Sequence, residues 1–346
     1  MASGNSHGDS HKGDGQGQSS QPASPARQDG SGGEAAKAVI GQNSGQPVVG
    51  VDTDTDSLDT ALHSHSRPIR KVGFIVNDTI APAIEASDRI AKLLVSKRVS
   101  VVQSHSASPD VPVTWTREDE LDMIFTFGGD GTILRAARFA APLGVPLMGV
   151  NLGRVGFLTE MNPWQVQERL QLFLQGKYWI EKRAMLKAEL WRSNECVGPF
   201  LALNDVVASR AALSRVVNCT LSVNSHKVTT YVADGVIVAT PTGSTAYSMA
   251  AGGPILHPEL RSYVVTPIAP YLTLLGSLVL PDDNVLDLHI DTDDEAFLTI
   301  DGQMHMALRD GDTIHVITSP DPCLFARVQD RAYFSATLVN RLRRAE

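Results

Sequence analysis

Asp130 stands among glycines in FGGDGTILRAAR (127–138), where an apolar run ends and a helical pattern begins. Gly128, Gly129 and Gly131 carry no Cβ, so backbone N–H groups there can come close to a phosphate chain, and Thr132 adds a hydroxyl. The emerging helix contributes its positive amino-terminal end. A carboxylate in such a place would repel phosphate unless it had chemistry to do. That chemistry is either accepting a proton from an attacking hydroxyl or holding a divalent cation. Taken alone, the same residues would also serve as a plain strand-to-helix turn, and no GK[ST] follows, so the segment is not a Walker A loop.

A second concentration lies in ADGVIVATPTGSTAYSMAAGGPI (233–255). Hydroxyls and small residues from Thr240 to Ser248 suit a ribose or a phosphate, and Tyr247 offers a face for packing on a ring. The bland reading is a Thr/Ser-rich loop that caps a short helix at AYSMAA. Asn204–Asp205 and Arg215 read by themselves as a strand-end turn and a solvated charge. His257 in LHPEL reads as a loop-ordering residue, and Met304 and Met306 around His305 as core or edge-strand residues rather than metal ligands.

Elements must hold these groups in place. KVGFIV (71–76) is a short apolar run of the kind a strand shows when both its faces are buried. A helical pattern through Ile84, Ile90, Leu93 and Leu94 follows. Further strands are expected at VSVVQ, at DMIFTF (122–127) and at VPLMGV (145–150), with a helix at ILRAARFAAPL and another over 164–176. Strands alternating with helices predict a parallel α/β sheet whose ligands lie at the carboxyl ends of the strands. From Trp179 onward RAMLKAELWR, LALNDVVASR, CTLSVNS, KVTTYVADGVIVAT, NVLDLHID, AFLTIDGQ, DTIHVIT and CLFARV read as strands joined by polar turns, with a hairpin at VNSHKV and a terminal helix at ATLVNRLRR. The second half is therefore expected to be mainly antiparallel β. Three segments result: a disordered low-complexity tail over 1–67, an α/β domain over 68–176, and a mainly β domain over 177–346 whose last helix is a candidate to pack back on the first domain.

Lys and Arg total 30 against 38 for Asp and Glu, a formal net charge of −8 over 346 residues. That balance argues against nucleic acid or an anionic membrane as the main partner. Cys196, Cys219 and Cys323 form no CxxC pair and no metal-ligand spacing. No apolar run approaches the ~20 residues of a membrane span, and no apolar h-region opens the chain. A soluble, cytoplasmic protein is expected.

GGDGT, NLGRVGFLTEM, ALNDVV, DGVIVATPTGSTAYSMAAGGPI and the later DGQ resemble the motifs of the NAD kinase family, in its order and at compatible spacing, over roughly Arg70 to the carboxyl terminus. GGDGT alone is shared with diacylglycerol, sphingosine and phosphofructokinase-type kinases, whereas TPTGSTAY is specific. The resemblance implies an amino-terminal α/β domain, a carboxyl-terminal β-sandwich-like domain and an active site between them. It implies transfer of the terminal phosphate of ATP or polyphosphate to the 2′-hydroxyl of the adenosine ribose of NAD, with a divalent metal such as Mg²⁺, in a homo-oligomer. Asp130 matches the general base, with Gly131 beside it at the pyrophosphate and Arg135 near the ligand. Asn204 and Asp205 match an acid–amide pair that contacts NAD. Arg215 and Asp234 match further nucleotide contacts, Asp234 from a neighbouring subunit. Thr245, Ala246, Tyr247 and Ser248 match the adenosine pocket, and Gln303 is a further match. Tyr271, Gly276, Ser277 and Val232 depart from the family pattern around the nucleotide. A lipid or sugar kinase sharing only the glycine turn, and a silent NAD-binding regulator, stay open as alternatives.

Overall fold

The computed structural model describes residues 69–105, 113–152, 156–211, 215–271 and 276–343. The low-complexity tail expected over 1–67 lies outside them. The first half runs β1 (Lys71–Val76), α1 (Ala81–Ser96), β2 (Ser100–His105), β3 (Met123–Gly128), α2 (Asp130–Leu143), β4 (Leu147–Asn151), α3 (Val166–Leu174) and β5 (Trp179–Arg183). β1, β3 and β4 are buried nearly throughout, as continuous apolar runs in a covered parallel sheet should be. α1 buries Ala83, Ala86, Ile90 and Leu94, a stripe three and four residues apart. α2 is capped by Gly129 in extended conformation and ends at Gly144, whose φ of 69° is the left-handed geometry of a helix stop.

The second half runs β6 (Leu186–Arg192), β7 (Glu195–Ala202), β8 (Asp205–Arg210), β9 (Val217–Val223), β10 (His226–Ala233), β11 (Gly235–Ala239), α4 (Tyr247–Ala250), β12 (Ser262–Ile268), β13 (Leu278–Pro281), β14 (Leu286–Asp291), β15 (Ala296–Ile300), β16 (Met304–Leu308), β17 (Thr313–Thr318), β18 (Cys323–Arg327) and α5 (Tyr333–Arg343). Strands β6, β9, β14, β15 and β17 alternate buried with less buried residues, the period of a sheet with one face on a core. The expected hairpin at VNSHKV closes β9 onto β10 through Asn224 and Ser225 at φ 50° and 65°, a pair of left-handed residues that a two-residue hairpin turn requires.

Three six-stranded sheets result, in the orders β2-β1-β3-β4-β18-β5, β10-β9-β14-β17-β6-β7 and β13-β12-β11-β8-β15-β16. The second and third share one core that interleaves small and large side chains, among them Ala188, Leu221, Tyr231, Val238, Tyr263, Leu288 and Leu298. This is the parallel α/β half followed by an antiparallel sandwich that the sequence predicts. The first sheet is parallel from β2 to β18 and closes with β5 antiparallel. It therefore takes two strands from beyond position 177. Where KVTTYVADGVIVAT and LALNDVVASR read as single strands, the chain breaks at Asp234 and at Leu203–Asn204 and crosses into another strand of the sandwich.

In the first sheet β1 lies between β2 and β3, so the strand order reverses there, and the crevice outside the carboxyl ends of β1 and β3 is the expected ligand position. Ile133, Leu134 and Ala137 of α2 pack with Met185 and Leu203, joining the two halves beside that crevice. No helix among the described residues is long and apolar enough to cross a membrane.

Candidate active site

β3 delivers Gly128 and Gly129 to the crevice, and α2 begins at once with Asp130. A side chain on Gly128 would collide with Thr132 Oγ1, so this glycine serves packing, while Gly129 faces open space. Asp130 is gripped by the segment that follows β4: Phe157 N–H donates to its Oδ2 at 2.8 Å and Leu158 N–H to its Oδ1 at 3.3 Å. A Cβ on Gly156 would strike this carboxylate, so the segment can approach it only with glycine there.

The sandwich reaches the same helix through the β15–β16 turn. Gln303 Nε2 donates to Gly131 O at 2.8 Å, and Gln303 Oε1 accepts from Arg138 Nη2 at 2.9 Å. Asp301, left-handed at φ 50°, accepts the N–H groups of Leu203, Asn204 and Asp205 at 3.1, 2.7 and 3.2 Å and lies 3.6 Å from Arg138. Burial pushes the Asp301 carboxyl up, against the pull of these amides and of Arg138. Asn204 O in turn accepts from Thr240 N–H at 2.9 Å, and Gly243 packs so closely on it that a Cβ would collide. A chain of short contacts thus joins Asp130 to the hydroxyl-rich loop.

Two hollows flank this chain. One, of about 760 Å³, is lined by Asn77, Thr79, Gly129, Gly131, Thr132, Arg135, Arg138, Phe139, Gln303 and Met304. Its glycine amides, its helix amino terminus and its two arginines suit a run of phosphates. The other, of about 290 Å³, is lined by Asn204, Asp205, Val207, Ser209, Ala246, Tyr247, Thr299, Asp301 and Gly302. Its acid, amide and exposed tyrosine suit a sugar hydroxyl and a ring. Burial first, and Asp301 second, push the Asp205 carboxyl up to about 7.

The structure brings most of the residues singled out in the sequence to these hollows, and leaves some elsewhere. Thr245, next in the chain to Ala246 of the second hollow, does not line it and turns its Oγ1 back to Thr242 O at 3.2 Å. Ser248 is buried and paired with Thr266 Oγ1 at 3.0 Å, inside the wall rather than on its surface. Asp234 precedes β11 at the end opposite Asp205, on the order of 17 Å away along the strand at the usual rise per residue. It pairs there with Arg210 at 2.7 Å. Arg215 donates its N–H to Asp294 at 3.3 Å, and neither it nor Asp234 lines either hollow. Of the departures, Tyr271 is exposed and its N–H donates to Val232 O at 2.7 Å, while Ser277 bonds Thr266 at 3.1 Å. His305 and its flanking methionines lie on an edge strand of the third sheet, and among the described residues no cluster of three His, Cys, Asp or Glu could hold a metal.

Arg138, Asp301, Asn77 and the amides of residues 157–158 were not singled out in the sequence. Arg138 and Asp301 stand inside quoted motifs, three residues beyond Arg135 and two before Gln303, and the switch point of the sheet would have pointed to Asn77.

Residues 203–328 match the carboxyl-terminal domain of ATP-NAD kinases, and residues 110–178 match the amino-terminal domain. The NAD kinase of Chloroflexus aggregans is 37% identical over 281 residues, covering 80% of this chain and 100% of that protein. The NAD kinase of Dehalococcoides mccartyi is 43% identical over 222 residues, covering 64% of this chain and 78% of that protein. Among solved structures, an NAD kinase from Archaeoglobus fulgidus in complex with ATP superposes with a TM-score of 0.64 at 26% identity, over 80% of this chain and 99% of that one. A yeast NADH kinase complexed with NADH shares the fold, with a TM-score of 0.70 at 24% identity over 80% of this chain and 88% of its own.

Proposed function

The chain belongs to the NAD kinase family and is an enzyme that converts NAD to NADP, and from that premise we propose that ATP is its phosphoryl donor and Asp130 its general base. The observation that carries the assignment is the Asp130 carboxylate, fixed by two amides at the start of a helix, beside the phosphate-suited hollow. A carboxylate oxygen has two lone pairs, so one that accepts an amide can still take a proton. The 2′-hydroxyl of the adenosine ribose gives up its proton to that carboxylate as its oxygen attacks the γ-phosphorus.

The adenosine ribose and base of NAD fit the second hollow, with Asn204 and Asp205 toward hydroxyls and Tyr247 against the ring. Phosphates fit the first hollow, where the glycine turn, Arg135 and Arg138 answer their charge. An Mg²⁺ ion, which keeps most of its waters and binds chiefly through substrate phosphates, needs no protein cage. Asp130, which opens α2 beside the first hollow, would be an acid within the ion's surroundings, and when bound the ion would neutralise charge on the phosphates. Asp234 and Arg215 line neither hollow, and supplied by another copy of the chain they would meet a nucleotide, which accords with a homo-oligomer.

The test is a matrix of donors (ATP, polyphosphate) against acceptors (NAD, NADH, a lipid alcohol, a sugar), with Asp130→Asn alongside. The expected result is NADP formed from ATP and NAD. The variant should stay folded, bind NAD and lose ~10²–10⁴-fold in kcat. Near-normal turnover by Asp130→Asn removes the base assignment, and preferential transfer from polyphosphate removes ATP as the donor.

A further inference from the structure

The carboxylate of Asp130 is oriented by residues 157 and 158, yet these belong to no helix or strand. Something else must hold them. Leu158 is bonded through both of its backbone groups: its N–H donates to Asp130, and its C=O accepts from Arg327 Nη1 at 2.9 Å. Arg327, at the end of β18, is buried and carries its charge between two acids. Its Nε donates to Glu181 Oε2 at 2.8 Å, its Nη1 also reaches Glu160 Oε2 at 3.2 Å, and its guanidinium lies 4.7 Å over the Phe325 ring.

Glu160 completes the clamp. Its Oε1 accepts the N–H groups of Val328 and Gln329 at 3.0 and 3.2 Å, and its C=O accepts from Arg169 Nη1 at 2.7 Å. Beyond Arg327 the network continues through Glu181 to Arg183 at 2.7 Å, and Arg183 Nη1 donates to Thr242 Oγ1 at 3.1 Å. One buried chain of charges therefore runs from the segment that holds the acid to the hydroxyl-rich loop.

Burial pushes the Glu160 carboxyl up, more than Arg327 brings it down, while Arg327 and Arg183 together hold Glu181 below its ordinary range despite its burial. Buried ion pairs of this sort are weak contributors to stability, because desolvation offsets attraction. What they do supply is geometry. A planar guanidinium has donors at fixed angles and can engage Leu158 O, Glu160 and Glu181 at once, which an ammonium on a flexible stem cannot.

We propose that Arg327 is a positioning residue for the reaction, setting through Leu158 the direction in which the Asp130 carboxylate points. The inference rests on the reading of Asp130 as base. Its test is steady-state kinetics on the full chain for the parent, Arg327→Lys, Asp130→Asn and the double variant, with NAD binding and thermal unfolding measured beside them.

Arg327→Lys keeps the charge and loses the fork. The expected result is a folded protein with KM for NAD and ATP within about twofold of the parent and kcat lower by ~10–10²-fold, the scale of a misplaced catalytic group. In the Asp130→Asn background the same change should cost less than about twofold, since a residue acting through Asp130 has nothing left to act on. A full loss repeated in that background, or a rise in KM at unchanged kcat, overturns the proposal. Retained turnover by Asp130→Asn alone overturns the base reading instead, and is told apart because it does not involve Arg327. Should Arg327→Lys fail to fold, Arg169→Met, on the more exposed side of the same clamp, takes its place with the same expected direction, and unchanged kcat there overturns the proposal.

Discussion

Asp205 is 4% exposed and shares its surroundings with the buried Asp301, so its proton is held until about pH 7, against 3.8 for the ordinary side chain. The folded state thus binds a proton over a range where the unfolded chain has released it. Stability contributed in this way is complete below about pH 3.8 and is lost as pH rises to about 7. Asp205→Asn, which stays neutral throughout, should flatten that slope. In the absence of nucleotide its Tm at pH 8 should exceed that of the parent, by roughly 1–2 °C for each kcal/mol at the usual unfolding entropy per residue. Melting curves at pH 5, 6, 7 and 8 check this, and parallel slopes for the two proteins would rule it out. Asp130 and Tyr247 could be picked out of the sequence because each stands beside glycines or hydroxyls whose chemistry is local, whereas Asn204–Asp205 by itself reads as a strand-end turn and is reached only through the family resemblance. Asp301 and Arg138 could not, because what makes them matter is a partner more than 100 positions away, and spacing along a chain carries no sign of such a pair.

At the scale of elements, the β15–β16 hairpin is the piece that ties the sandwich to the helix bearing the acid. Asp301 alone satisfies three backbone N–H groups at the start of β8 and faces Arg138. Asp301→Ala strands those donors and takes the counter-charge from a largely buried guanidinium that keeps, among the described residues, only Gln303 Oε1 beside it, and should destabilise the protein by about 3 kcal/mol or more. Gln303→Ala, whose side chain is more exposed, should cost less than about 1.5 kcal/mol. Urea unfolding reads this as a lowered midpoint with an unchanged slope. A midpoint for Asp301→Ala no lower than that of Gln303→Ala would show that the turn does not carry this weight. The elements themselves were readable where burial was simple, as in β1, β3 and α2. The sequence reading named no strand for β12, β13, all but the last residue of β5, or most of β7. β7 is exposed along most of its length and has no apolar alternation. In β12 the break in pattern is Pro267, which is tolerated because β13 pairs only with Ser262–Val265 and leaves no ladder on that side of the proline, while its other side faces Val236 of β11.

At the scale of the molecule, the first sheet is not finished when its helices are. β18 arrives after the whole sandwich and lays Phe325 beside Leu147 of β4, then pairs along its length with β5. Ala326 joins the core on one face of that sheet, and Cys323 and Phe325 join the core on the other. Composition changes character near 177, which is why a boundary between 176 and 177 suggests itself. Hydrogen bonding places β5 and β18 on the near side of any such division. A chain cut there would leave β4 as an open parallel edge and would uncover apolar surface on both of its faces, with Glu160 deprived of Arg327, which itself is held by Glu181. Residues 69–176 expressed alone should therefore show no cooperative thermal transition and should self-associate, whereas the full chain melts cooperatively. Co-expression with residues 177–346 should recover the missing strands in trans and restore a cooperative transition to the pair. A sharp, reversible melt of 69–176 by itself would mean that the parallel half is closed without β5 and β18, and that the late return of the chain is ornament rather than structure.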